Sequence, residues 1–148
     1  MKITLRNIMT DQVYSVDEDT VLLEIKDLFD THNFHHIPVL DTKAEVVGMI
    51  SRLDYNMILD HFTIFRVDKA EKTNKRFLGA LIAKDIMSRN LAIVSPDMTI
   101  DEANKIFLEN LIHALPVVEN HKLIGIVTPF DVIRYYSEMA VGQKMLED

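Results

Sequence analysis

Two hydroxyl and carboxylate pairs carry the chemistry this sequence offers. Ser51 and Asp54 end the stretch Gly48-Met49-Ile50-Ser51-Arg52-Leu53-Asp54, and Thr128 and Asp131 end Gly125-Ile126-Val127-Thr128-Pro129-Phe130-Asp131. A hydroxyl residue three positions before an acid, after a short apolar run, predicts a buried strand turning into a helix. The hydroxyl residue is then the N-cap and the acid lies in the first turn. Two duties are open to such a corner. The carboxylate can accept both hydrogen bonds of a vicinal diol, while backbone donors at the helix start take a phosphate. Alternatively, the pair only stabilises the start of a helix.

Positioning two such corners calls for a repeated scaffold, and the sequence contains one. Shifted by 78 positions, residues 7–40 fall on 85–118 with nine identities, among them Ile8/Ile86, Met9/Met87, Phe29/Phe107, His35/His113 and Pro38/Pro116. One deletion later, Gly48 meets Gly125, Ser51 meets Thr128 and Asp54 meets Asp131. The expected organisation is a first repeat over 1–60, a connecting segment over 61–81, a second repeat over 82–140 and a polar tail over 141–148.

Each repeat reads strand, helix, strand, strand, helix. In the first, Val13–Val16 predicts a short strand and Asp17–Thr20 a polar stop able to cap a helix. Val21, Ile25, Leu28 and Phe29 recur at helical spacing. Pro38 suits a strand start or edge. In the second, Leu91–Val94, Leu115–Val118 and Leu123–Val127 predict strands, Thr99 with Glu102 predicts a capping box, and Pro129 fits the first helical position after Thr128.

Composition narrows the function classes. With 48% hydrophobic and 26% charged residues over 148 positions, the chain predicts a soluble α/β (α+β) protein with a substantial core. No apolar run is long enough to insert into a membrane and the start lacks a signal-peptide core, so a cytoplasmic location is expected. The absence of cysteine excludes thiolate chemistry, and a net charge of -7 argues against a nucleic-acid partner. Four glycines do not assemble a Walker loop or a dinucleotide fingerprint, and there is no nucleophile elbow, so no catalytic residues and no enzyme activity are expected.

The chain resembles a tandem pair of cystathionine β-synthase (CBS) domains. The likeness rests on Ile8-Met9-Thr10 with Ile86-Met87-Ser88, His36-Ile37-Pro38-Val39 with Ala114-Leu115-Pro116-Val117, and the two corners, and it covers about residues 5–140. It implies two βαββα repeats packed around a pseudo-two-fold axis, with clefts that hold AMP, ADP, ATP or S-adenosylmethionine as effectors. It further implies an energy-sensing regulatory module, a homodimer and a separate, unidentified protein partner. No other cofactor is required.

Residue by residue, the resemblance puts Asp54 and Asp131 on ribose hydroxyls and Ser51 and Thr128 near the phosphate. Thr10, Phe34 and His35 would form an adenine pocket for one cleft, and Ser88, Ile112 and His113 for the other. Ile50 and Val127 supply the apolar wall such a ring needs. Arg52, His35 and His36 would bring donors to a phosphate at the first corner, where the second has Pro129 and Ala114. Arg134 either compensates there or is a solvated helix residue.

Other features have plainer readings. His32, His35 and His36 lack a carboxylate that would complete a metal site, so no metal is expected. The cluster Arg66, Lys69, Lys72, Lys75 and Arg76 reads as a solvated connector, with a partner or acidic-lipid contact as the alternative. Against the sensor stand a ligand-free dimerisation scaffold and, more distantly, a hydrolase using the corner carboxylates.

Overall fold

The computed structural model describes residues 2–63, 75–110 and 112–144. They fall into two compact units, one drawn from Met1–Val13 with Leu91–Asp148, the other from Tyr14–Asn90. The cut differs from the boundaries of the sequence repeats, because the leading segment belongs with the second repeat and the segment ending at Asn90 with the first. Residues 64–74, which carry Arg66, Lys69 and Lys72, lie outside the described residues, as do 145–148 of the tail. Lys75 and Arg76 are exposed on a helical stretch over 75–78.

The Tyr14–Asn90 unit runs β1 (Val16–Asp17), α1 (Leu22–Thr31), β2 (His36–Leu40), β3 (Val46–Ser51), α2 (Arg52–Thr63) and α3 (Ala83–Ile86). Leu22, Ile25 and Phe29, spaced to share one face of α1, are 0, 0 and 2% exposed. Each contributes roughly 1.5–3 kcal/mol by leaving water. They pack with Val16, Ile37, Val39, Ile50 and Tyr55 into one core. The N-cap of α1 is Val21, with no side-chain cap bond. The expected capping from Asp17–Thr20 is not made, because the Thr20 hydroxyl accepts from the Asp17 N–H at 3.0 Å instead.

The sheet order is β1-β2-β3, parallel then antiparallel. β2 is therefore central rather than an edge. β1 is shorter than the predicted Val13–Val16 and shifted; it pairs only with Val39 and Leu40 and stops short of Pro38, where no N–H could have answered it. Ser88 adds to the far side of β3 through two bonds with Met49, at 3.0 and 2.9 Å.

The other unit opens with a 3-10 turn (Leu5–Asn7) and continues with α4 (Ile100–Asn110), β4 (Leu115–Glu119), β5 (Lys122–Val127) and α5 (Pro129–Lys144). Its core repeats the logic of the first, with Ile100, Ala103 and Phe107 buried along α4 against Leu115, Val117 and Val127. The predicted strand Leu91–Val94 shrinks to a parallel bridge from Val94 to Val117. Asn120 and His121, with φ of 50° and 65°, form the two-residue turn joining β4 to β5. That left-handed pair matches the twist of a tight hairpin. Thr10 bridges the far side of β5 through two 3.0 Å bonds with Ile126. Among the described residues, no helix is long and apolar enough to cross a membrane.

Candidate functional site

Both corners form as the hydroxyl and acid spacing predicts. At the first, Asp54 Oδ2 accepts from the Ser51 N–H at 3.1 Å and the Ser51 hydroxyl at 2.6 Å, and the Ser51 hydroxyl oxygen accepts the Asp54 N–H at 3.0 Å. At the second, Asp131 Oδ2 accepts from the Thr128 N–H at 2.8 Å and its hydroxyl at 2.7 Å. One oxygen of each carboxylate is thus committed to the helix start. Diol recognition would have to use the other.

The structure regroups the residues around the corners. Thr10, expected with Phe34 and His35, lies at the other corner: its hydroxyl is 3.5 Å from Asp131 Oδ1, and its backbone pairs with Ile126. Ser88, expected with Ile112 and His113, runs beside β3, which ends in Ser51. The exchange arises because each leading segment extends the sheet of the opposite repeat. Phe34, His35, Ser51, Asp54 and Ser88 therefore share one unit; Thr10, Ile112, His113, Thr128 and Asp131 share the other.

Ile50 and Val127, expected as the apolar wall, are both 0% exposed and pack into their cores. An apolar run such as Val46–Ile50 does not reveal which alternate set points inward.

Arg52, expected to bring donors to a phosphate, is engaged with main-chain carbonyls in this structure. Its Nη2 reaches the carbonyls of Phe29, His32 and Phe34 at 2.5, 3.0 and 3.2 Å. Its backbone N–H donates to the His35 carbonyl at 2.8 Å. These are the orphan carbonyls at and just beyond the C-terminus of α1, where a cation is also favoured by the helix dipole. His32 joins the same locality. Its ring lies 4.2 Å from Tyr14 and 5.2 Å from Phe34 by centroid, and Tyr14 to Phe34 is 5.4 Å. Tyr14, absent from the sequence-based site, completes this aromatic cluster; its exposed ring gave no periodic signal.

Arg134 is half exposed and paired with Asp131 rather than freely solvated. Its Nη2 donates to Asp131 Oδ1 at 3.0 Å and to the Ile8 carbonyl at 3.3 Å. His35 and His113 are exposed, and Phe34 and Ile112 are half-buried. Among the described residues, no group of three or more His, Cys, Asp or Glu side chains is placed to hold a metal ion.

A depression of about 430 Å3 lies away from the corners, along β1 and α1, lined by Asp17, Glu24, Asp27, Thr20 and Thr31 among others. Its acidic rim disfavours a phosphate.

The CBS domain family matches residues 5–59 and 83–138. The chain belongs to that family, with two copies of its domain. It is 32% identical to uncharacterized protein MJ1426 of Methanocaldococcus jannaschii, over 80% of this chain and 82% of that one. It is 26% identical to inosine-5'-monophosphate dehydrogenase of the same organism, covering 93% of this chain but only 25% of the enzyme. Two solved structures share the fold. The CBS domain pair of protein MJ0100, in complex with 5-methylthioadenosine and S-adenosyl-L-methionine, superposes with a TM-score of 0.73 at 22% identity, over 94% of this chain and 99% of that one. CBSX2 in complex with AMP gives 0.72 at 24% identity, over 93% and 98% of the two chains.

Proposed function

We propose that this chain is a non-catalytic regulatory module that binds an adenosyl ligand (AMP, ADP, ATP or S-adenosylmethionine) at its strand-to-helix corners and signals occupancy to a separate protein. The observation that carries the reading is the twice-repeated corner, in which a capped helix start sits beside a carboxylate with one oxygen not used by the cap. Ser51 and Thr128 mark the phosphate end, Asp54 and Asp131 the ribose end. Ser88, Phe34 and His35 flank the first corner in its unit, and Thr10, Ile112 and His113 the second. The adenosyl complexes of MJ0100 and CBSX2 support the ligand class. Signalling follows if the ligand binds two conformations of the chain with different affinity.

Titration calorimetry and thermal unfolding with AMP, ADP, ATP and S-adenosylmethionine test this. At a hundredfold excess over its dissociation constant, a specific ligand adds about 2.7 kcal/mol of stability. Asp54→Ala or Asp131→Ala should remove that gain. A panel without any stabilising member would sink the sensor.

A ligand-free homodimeric scaffold is the second reading. Leu53 and Met57 on α2 are 69 and 55% exposed, and Phe130 and Ile133 on α5 are 69 and 61% exposed. Apolar residues at such spacing suit a helix-to-helix interface. Sedimentation of the wild type against Leu53→Glu and Phe130→Glu tests the dimer independently of ligand.

A further inference from the structure

We propose that Arg134 competes with the ligand for Asp131, so that the two corners differ in affinity and the Asp54 corner is the tighter. The inference rests on the adenosyl reading given above and adds the residue that sets which corner fills first.

The two carboxylates present the same inner face and different outer faces. In both, Oδ2 holds the N-cap hydroxyl and N–H. At Asp131 the remaining oxygen is already occupied: Oδ1 accepts from Arg134 Nη2 at 3.0 Å, and the Thr10 hydroxyl lies 3.5 Å away. The Asp131 side chain is 6% exposed and that of Arg134 45%, so the guanidinium covers a buried charge from the solvent side. At Asp54, no described residue donates to Oδ1. The position three after Asp54, equivalent to Arg134, is Met57, whose thioether has no proton to give.

A ribose diol approaching Asp131 must displace a charge-assisted hydrogen bond before it gains its own, whereas one approaching Asp54 meets no such bond from a described residue. Displacement also costs the bond to the Ile8 carbonyl at 3.3 Å, which ties α5 to the segment carrying Thr10. Pro129 against Arg52 is therefore not the difference that matters, since Arg52 is turned to α1. The difference lies one turn further along each helix.

Exchanging the two residues tests this in the full chain. AMP and S-adenosylmethionine are titrated by calorimetry into the wild type, Arg134→Met, Met57→Arg, Asp54→Ala and Asp131→Ala, with folding checked by thermal unfolding. Wild type should show a tighter class of sites that Asp54→Ala removes and Asp131→Ala spares. Arg134→Met should tighten the second class by about tenfold, and Met57→Arg should weaken the first by a similar factor. Arg134→Gln, which keeps a long polar side chain without the charge, should act in the same direction as Arg134→Met.

Two equal classes in wild type, a tight class lost only with Asp131→Ala, or weaker binding in Arg134→Met would overturn the competition while leaving the corners as ligand sites. Absence of binding by wild type and every variant would overturn the corner reading itself, and the competition with it.

Discussion

The guanidinium of Arg52 lies 5.1 Å from the centroid of the Phe29 ring, and its Nη2 bonds to the carbonyl of that same residue. The first residue of α2 thereby closes the end of α1, from 23 positions away. Arg52→Ala should cost about 2–3 kcal/mol in urea unfolding, because charge-assisted bonds are lost and carbonyls stranded. Arg52→Lys should recover only part of it, since an ammonium lacks the planar fork and the stacking face. A phosphate-donating Arg52 would give the opposite pattern, with AMP affinity lost and stability kept.

The corner glycines are paired with the methionines of the leading segments. A Cβ on Gly125 would meet Met9 Sδ at 2.5 Å and the Thr10 carbonyl at 3.1 Å; one on Gly48 would come within 2.8 Å of Met87 Cγ. Gly125→Ala should therefore destabilise by about 1–3 kcal/mol as an overpacking change. Combined with Met9→Ala, it should cost less than the sum of the two single changes, measured in a double-mutant cycle. Additive losses would show that the contact is not what requires glycine.

Tyr55 is 3% exposed, and among the described residues its hydroxyl has no hydrogen-bond partner. Burial, reinforced by Asp30 and Asp27, pushes the phenol up to about 12. A phenol buried without a partner is a desolvation cost that phenylalanine avoids, so Tyr55→Phe should be neutral or stabilising by about 1 kcal/mol. A loss of stability in denaturant unfolding would reveal a buried water bonded to the hydroxyl.

The capping box of α4 predicts part of the acid limb of the stability profile. Hydrogen bonds from the Thr99 hydroxyl at 2.7 Å and the Thr99 N–H at 2.8 Å hold the Glu102 carboxyl below its ordinary value of 4.5. A depressed carboxyl pKa gives stability that is complete above the unfolded value and fades as pH falls through the folded one. Glu102→Gln should flatten the profile below about pH 4.5 and leave its slope near neutrality unchanged. Denaturant titrations at a series of acid pH values check the sign.

Local chemistry was legible in the sequence, and long-range pairing was not. The Ser51/Asp54, Thr99/Glu102 and Thr128/Asp131 pairs follow from three-residue spacing, and the buried stripes of α1 and α4 from helical periodicity. The partnership of Thr10 with Asp131 spans 121 positions, and no local spacing encodes it. Arg52 stands at the start of an exposed helix turn, and only the fold brings the end of α1 within its reach. Ile50 and Val127 illustrate a third limit, since a continuous apolar strand conceals its inward face. Arg134 was visible as a charge one turn beyond Asp131, but its bond to Ile8 required the leading segment to be in place.

The exchange of leading segments has a consequence for how the chain assembles. Residues up to Val13 complete the half built from Leu91 onward, while residues up to Asn90 complete the half that begins at Tyr14. Two such repeats on separate chains would have to exchange these segments by strand swapping, at a cost set by concentration. Joining the copies in one polypeptide turns that bimolecular exchange into an intramolecular closure. In the single chain each exchange is a first-order step, independent of protein concentration.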